Sequence, residues 1–201
     1  MDKEVFVVGN KVDIPADILI SKHDNENLLL FVGKMNYEPN VVAVTTFAEC
    51  VLPKLLAVYP ELQFQIVGAH PDKRVQRLAN NANIQVMGFV DSLEPYFQHA
   101  TVVVAPMLTG AGIQNKIIQA MSYGCCVVTT SIGAEGLTVN HNEIAVWDDE
   151  DKMADGIKML LCNRDKRMAM GKAARQYVID NLSPEVIAKQ FWAFMGEIDI
   201  E

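Results

Sequence analysis

Short apolar runs alternate with amphipathic stretches along this chain, and this alternation constrains the fold more than any other feature. Six runs predict strands: LLLFVG (28–33), LQFQIVG (62–68), IQVMGFV (84–90), TVVVA (101–105), CCVVTT (125–130) and the shorter EIAVWDD (143–149). Apolar spacings of three or four predict helices between them. Strands and helices that alternate this often indicate a parallel sheet covered by helices on both faces.

The spacing further predicts how individual helices begin and end. Apolar residues recur along 39–59, where Pro53 is expected to kink or restart the helix. Helices dominate after residue 149, and Ser183 followed by Pro184 is a typical helix start. We therefore expect one Rossmann-like α/β domain over residues 1–201, with 1–27 as a lead-in and 183–201 as a C-terminal helix.

Composition excludes several classes of protein. The formal net charge of −8 disfavours non-specific contact with nucleic acid, so no nucleic-acid partner is expected. No apolar run approaches the roughly 20 residues of a membrane span. The four cysteines lack a CxxC spacing and a nearby histidine partner, which favours reduced thiols packed as small hydrophobic groups. We expect no metal site.

The segment GAGIQNK, which follows the strand at 101–105, carries the clearest sign of chemistry. Gly110 and Gly112 permit close approach of a ligand, and the helix start after them offers N–H donors and the cation Lys116. Lys34 lies at the corresponding place after the strand at 28–33. A tight turn and solvated lysines are the plainer alternatives, but the two loops together favour a phosphate site. Because GAGIQN lacks a third glycine and no Walker motif occurs, the NAD and ATP-hydrolysis interpretations lose their main support.

Several motifs, in order, resemble the C-terminal half of GT-B glycosyltransferases, and of family 4 in particular. They are FVGKMNYEPN, FQIVGAHP, VMGFVDSLEPYFQHATVVVAP and GAGIQNKIIQAMSYGCCVVTTSIGAEGL, and the resemblance covers residues 5–177. The segment VVGNKVD resembles the hinge between the two Rossmann halves of such enzymes. The resemblance implies a domain that binds a nucleoside-diphosphate sugar of UDP or GDP type, without cofactor or metal.

The resemblance also assigns roles to individual positions. Diphosphate binding falls on Lys34, Gly110, Ala111, Gly112, Ile113, Gln114 and Lys116. The base falls on Gly88, Phe89 and Val90, and the ribose on Gln119. For Phe89 the alternative is a core aromatic that closes a strand. For Glu135 a local cap or turn contact competes with sugar binding.

Four positions depart from the family pattern. Leu108 stands where the related branch has an arginine, Gln119 where it has a glutamate and Cys126 where it has a proline. Ala111 stands where many members of the wider family, though not generally that branch, have a first glutamate. These departures leave open a degenerate, non-catalytic half that serves as a binding or assembly subunit. A fragment of a GT-B sugar-nucleotide epimerase is a third possibility.

The resemblance starts at the hinge, so the acceptor-binding N-terminal domain and most catalytic residues are expected in a longer protein or in a partner chain. The full protein would be a hexosyltransferase of polysaccharide or glycoconjugate synthesis, cytoplasmic or membrane-peripheral through its other half, and this domain alone would be inactive. The last helix carries an apolar face that could mediate self-association: Ile187, Phe191, Phe194 and Ile198.

Overall fold

A computed structural model describes residues 12–15 and 27–197 and contains a six-stranded parallel sheet. The strands are β1 (Leu28–Val32), β2 (Gln63–Val67), β3 (Ile84–Gly88), β4 (Val102–Ala105), β5 (Val127–Thr129) and β6 (Ala145–Val146). Their order is β3-β2-β1-β4-β5-β6, and every pairing is parallel. This is the doubly wound Rossmann order, which confirms the predicted α/β class.

The helices lie where the apolar spacing predicts them, with ends shifted by a few residues. They are α1 (Glu38–Thr46), α2 (Leu52–Leu56), α3 (Lys73–Leu78), α4 (Glu94–His99), α5 (Asn115–Ser122), α6 (Glu150–Cys162), α7 (Arg164–Leu182) and α8 (Pro184–Glu197). Side chains of Asp72, Asp149 and Asn163 accept from backbone N–H groups in the first turns of α3, α6 and α7. Polar caps thus satisfy donors that would otherwise lack partners.

Two apolar layers sandwich the sheet, and β1 feeds both of them. Leu29 and Phe31 pack with the first helices and α6, whereas Leu30 and Val32 pack with α4, α5 and α7. Every residue of β1 is buried, as expected of a central strand in a sheet covered on both sides. The carboxyl ends of β1 and β4 are therefore held in a rigid, fully packed layer.

Pro53 lies in the first turn of α2, so the helix restarts at this proline, which was one of the two predicted outcomes. A π-helical turn, Phe47–Val51, joins α1 to α2, and the N–H of Leu52 donates to the Phe47 carbonyl. The wider turn absorbs the missing N–H and the ring of proline. The resulting helix, Glu38–Leu56, is long and apolar enough to cross a membrane by length and composition alone. Its residues Val44 and Leu55 are fully buried in the core of this domain, as in the core helices of globular proteins.

The sequence predicts a hinge-like segment near the start of the chain and a helix at its C-terminal end. The hinge-like segment VVGNKVD lies outside the described residues except for its last two, and Val12 donates its N–H to the Leu182 carbonyl. The predicted C-terminal helix is α8, on which Phe191 is exposed and Ile187 packs partly against the core. The side chain of Phe194 and residue Ile198 lie outside the described part.

Candidate functional site

The strand order brings the two predicted loops together. β1 and β4 are adjacent in the sheet, but β1 leads by α1 to β2, and β4 leads by α5 to β5 on the other side. The loops after β1 and β4 therefore diverge and leave a crevice at the topological switch point, where open α/β sheets bind ligands. Lys34 follows β1 directly, and the glycine loop with Lys116 follows β4.

Lys116 lies in the first turn of α5, and its side chain turns back into this crevice. Its Nζ donates to Asn40 Oδ1 at 2.7 Å and to Gln114 Oε1 at 3.1 Å. The Met107 sulfur lies 3.3 Å from the same nitrogen, and the Phe31 ring centroid lies 5.5 Å away. The ammonium is thus held by neutral groups and by the face of an aromatic ring.

Burial lowers the pKa of this lysine but leaves it a cation at neutral pH. Removal from water lowers the pKa of the Lys116 ammonium from 10.5 to about 8. Within the described residues, no carboxylate lies within ion-pair distance of Lys116. The crevice therefore contains a partly buried cation whose charge is uncompensated, and an anion bound there would raise its pKa again.

The loop between β4 and α5 folds around the same point. Gly110 and Gly112 have φ angles of 128° and 74°, which other residues rarely adopt. Gln114 donates from Nε2 to the Gly112 carbonyl at 3.1 Å while its Oε1 accepts from Lys116. Ala111 is exposed and Ile113 is half-buried. The structure thus brings all the predicted diphosphate-binding residues together at the carboxyl ends of β1 and β4.

Glu135 contacts the glycine loop from the turn after β5. Its Oε2 accepts from the Gly112 N–H at 3.2 Å. Because Gly112 lies 23 positions away in the sequence, this contact joins two loops and is not the local cap or turn contact that the sequence offered as an alternative. A role in sugar binding stays a prediction.

The positions predicted for the base lie at the end of the edge strand β3. Gly68 lies between these positions and the crevice. Its N–H donates to the Gly88 carbonyl, and the N–H of Gly33, beside the crevice, donates to the carbonyl of the preceding residue, Val67. Phe89 is 73% exposed, so the interpretation as a core aromatic is wrong. Val90 is half-buried and packs against the core on the α4 side. An exposed aromatic ring at this edge is available to a ligand.

The positions that depart from the family pattern differ in how far they are buried. Gln119 is half-buried on α5, and no hydrogen bond of its side chain occurs in the described part of the chain. Leu108 is exposed beside the glycine loop. Cys126 is buried in the core, where its thiol packs as a small apolar side chain.

Sequence reasoning missed Asn40, which contacts Lys116 directly. It lies in the first turn of α1, is only 4% exposed and bonds to groups in both loops. A polar residue beside the buried face of an otherwise apolar helix was the available signal. All four cysteines are free. Among residues 12–15 and 27–197, no group of three His, Cys, Asp or Glu side chains is placed to hold a metal ion.

Comparisons with solved structures agree with this fold. A mutant of TarM from S. aureus, solved with fondaparinux, alpha-GlcNAc-glycerol and UDP, superposes with a TM-score of 0.78 over 96% of this chain and 40% of that one, at 19% identity. HepE from Anabaena, solved with UDP and glucose, gives a TM-score of 0.74 over 96% of this chain and 57% of that one, at 15% identity. The domain has the Rossmann-like fold that forms one half of these GT-B structures.

The family follows from sequence. The model for glycosyl transferases group 1 matches residues 26–163, and this chain belongs to that family. A phosphatidyl-myo-inositol mannosyltransferase of Mycolicibacterium smegmatis is 27% identical over 186 residues, which are 87% of this chain and 47% of that protein. An uncharacterized 44.6 kDa protein in the cps region of Klebsiella pneumoniae is 26% identical over 172 residues, 74% of this chain and 44% of that one. The chain spans less than half the length of these curated relatives.

Proposed function

We propose that this chain is the donor-binding domain of a glycosyltransferase that transfers a sugar from a nucleoside diphosphate to an acceptor. The observation that carries the proposal is Lys116, a partly buried ammonium held by neutral groups at the switch point of the sheet. A buried charge without a counter-ion destabilises the fold, and a diphosphate would supply the missing negative charge.

The chemistry of glycosyl transfer needs such a charge. As the bond between sugar and diphosphate breaks, negative charge grows on the leaving phosphate oxygens. A cation already fixed in place stabilises this charge without further reorganisation. Lys116 is fixed by its hydrogen bonds, and Lys34, which is exposed at the mouth of the crevice, is free to reach a bound phosphate.

The relatives support a nucleotide sugar but differ in its base. TarM and HepE were solved with UDP, whereas a phosphatidylinositol monomannoside mannosyltransferase of Mycobacterium tuberculosis, 29% identical over 114 residues, is named as GDP-mannose-dependent. Those 114 residues are 52% of this chain and 30% of that protein. The mannosyltransferases among the named relatives favour a hexosyltransferase. We further propose that it serves polysaccharide or glycoconjugate synthesis, in the cytoplasm or at the surface of a membrane. The acceptor-binding half would come from another segment or chain, and the domain alone would bind donor without transferring sugar.

Calorimetric titration of this chain with UDP, GDP and ADP tests the donor site, with UMP as the control for the second phosphate. We expect one diphosphate to bind and its monophosphate to bind clearly more weakly. Lys34→Ala and Lys116→Ala should each weaken binding by about 1–3 kcal/mol, the range for losing a hydrogen bond to a charged group. Lys172→Ala, which removes an exposed lysine of α7, is the matched control and should leave affinity unchanged.

Two outcomes would count against the proposal. If the wild type and both lysine variants bound the diphosphate with equal affinity, the phosphates would not bind in this crevice. Failure of all three diphosphates to bind at millimolar concentration would favour the degenerate subunit, in which Leu108, Ala111 and Gln119 mark a lost site.

A further inference from the structure

Asn40 occupies an unusual position for a polar residue. It follows Pro39 in the first turn of α1, and its neighbour along the helix, Val41, is part of the core. Only 4% of Asn40 is exposed, so its amide is removed from water and needs partners of its own. A side chain buried in this way is costly unless both its donor and its acceptor are used.

Both ends of the amide are used, and each end contacts a different loop. Oδ1 accepts from Lys116 Nζ at 2.7 Å, and Nδ2 donates to the Lys34 carbonyl at 3.0 Å. Lys34 belongs to the loop after β1, and Lys116 begins the helix after β4. One side chain therefore connects the two loops that form the crevice. A Cβ on Gly33 would lie 2.7 Å from Nδ2, so the amide also depends on a glycine at that position.

We propose that Asn40 is a positioning residue that fixes the Lys116 ammonium between the two loops while leaving its charge available to a bound diphosphate. The ligand in this statement rests on the proposed function. The hydrogen-bond pattern explains why the residue is an asparagine. The ammonium requires an acceptor and the carbonyl requires a donor, and a neutral amide offers one of each.

Aspartate and leucine resemble asparagine in shape, but neither could make both of these hydrogen bonds and remain neutral. An aspartate would place a second oxygen against the Lys34 carbonyl, where a donor now lies, and its negative charge would neutralise Lys116. A diphosphate would then compete with a carboxylate of this chain for the same ammonium. A leucine would fill the space, but it would release the ammonium from the loop after β1.

The test uses Asn40→Asp and Asn40→Leu, with Asn142→Asp as the matched control. Asn142 is exposed in the turn before the edge strand β6, whereas the crevice lies at the central strands β1 and β4, so this control adds the same charge away from the crevice. The Lys116 pKa is followed by NMR titration of the lysine Nζ and Cε signals, assigned with Lys116→Met. Affinity is measured by calorimetry with whichever of UDP, GDP or ADP binds the wild type.

We expect Asn40→Asp to return the Lys116 pKa toward its ordinary value and to weaken diphosphate binding about 10- to 100-fold. Asn40→Leu should weaken binding about tenfold without raising that pKa. Both variants should remain folded by circular dichroism, and Asn142→Asp should match the wild type in both measurements. If the Asn40 side chain did not contact Lys116 in solution, neither variant would move the Lys116 pKa toward its ordinary value.

The proposal is overturned if the wild type binds a diphosphate and both Asn40 variants bind it equally well. If the wild type binds none of the three nucleotides, the proposed function fails, but the pKa still decides the role of Asn40. A raised Lys116 pKa in Asn40→Asp would then support the contact between residue 40 and the Lys116 ammonium. An unchanged pKa would overturn it.

Discussion

Replacing Lys116 by methionine separates the contribution of this residue to stability from its contribution to binding. Methionine keeps much of the length and flexibility of the lysine stem but cannot carry a charge. In the wild type, burial lowers the pKa of Lys116 from 10.5 to about 8. A difference of this size corresponds to about 3 kcal/mol of differential stability between the two protonation states.

The sign of the effect follows from proton counting. Below about pH 8 both the folded and the unfolded chain hold the proton, so the full destabilisation is present and does not vary with pH. Between about pH 8 and 10.5 the unfolded chain keeps the proton and the folded chain releases it. The free energy of unfolding of the wild type should therefore rise across this interval by about 3 kcal/mol relative to Lys116→Met.

At neutral pH, two opposite effects of the Lys116→Met substitution on stability largely offset each other. The variant gains about 3 kcal/mol from losing the buried charge. It loses about 1–3 kcal/mol because Asn40 Oδ1 is left without its donor. Lys116→Met should therefore be as stable as the wild type at pH 7, or more stable by up to about 2 kcal/mol, although it binds diphosphate poorly.

Urea denaturation of both proteins from pH 7 to 10.5 measures this difference directly. Tyrosines, cysteines and the other lysines titrate in both proteins, so their contributions cancel in the difference. Lys172→Met, at an exposed site of α7, controls for the loss of any lysine. A difference between wild type and Lys116→Met that stays constant within about 1 kcal/mol over this interval would refute the argument from burial.

Three further predictions rest on separate features of the structure. In chemical denaturation, Gly68→Ala should destabilise the fold by about 3 kcal/mol or more, and Gly88→Ala by only about 1–2 kcal/mol. Both glycines have positive φ, but only a Cβ on Gly68 would overlap another group, the Gly33 carbonyl. Iodoacetamide should modify exposed Cys162 first and leave Cys126 untouched until unfolding, since burial raises the pKa of Cys126 to about 12; early modification of Cys126 by mass spectrometry would contradict this. Diphosphate binding at about pH 9 should take up a proton that Lys116→Met does not take up, measured as the dependence of the binding enthalpy on the buffer, whereas at pH 7 neither protein should do so.

The sequence predicts the fold well because its signals are local. The runs at 28–33 and 62–68 match β1 and β2 to within one residue, and polar caps mark the starts of α3, α6 and α7. The restart at Pro53 was predicted, but the π-helical turn before it was not, because such a turn depends on how α1 and α2 pack together onto the sheet. The side of the sheet that each helix covers is likewise a property of the whole chain.

The two lysines show why the site was only partly predictable. In the sequence they look alike, since each follows a strand and a glycine-containing loop. In the structure Lys34 is exposed, whereas Lys116 is partly buried against Met107 and the Phe31 ring. A pKa responds to burial and to nearby charge, and neither can be obtained from a residue's neighbours in sequence. The same holds for Asn40, which lies 76 positions from Lys116 and meets it only because β1 and β4 are adjacent. What distinguishes this site is therefore the set of neutral partners that the strand order assembles around one cation.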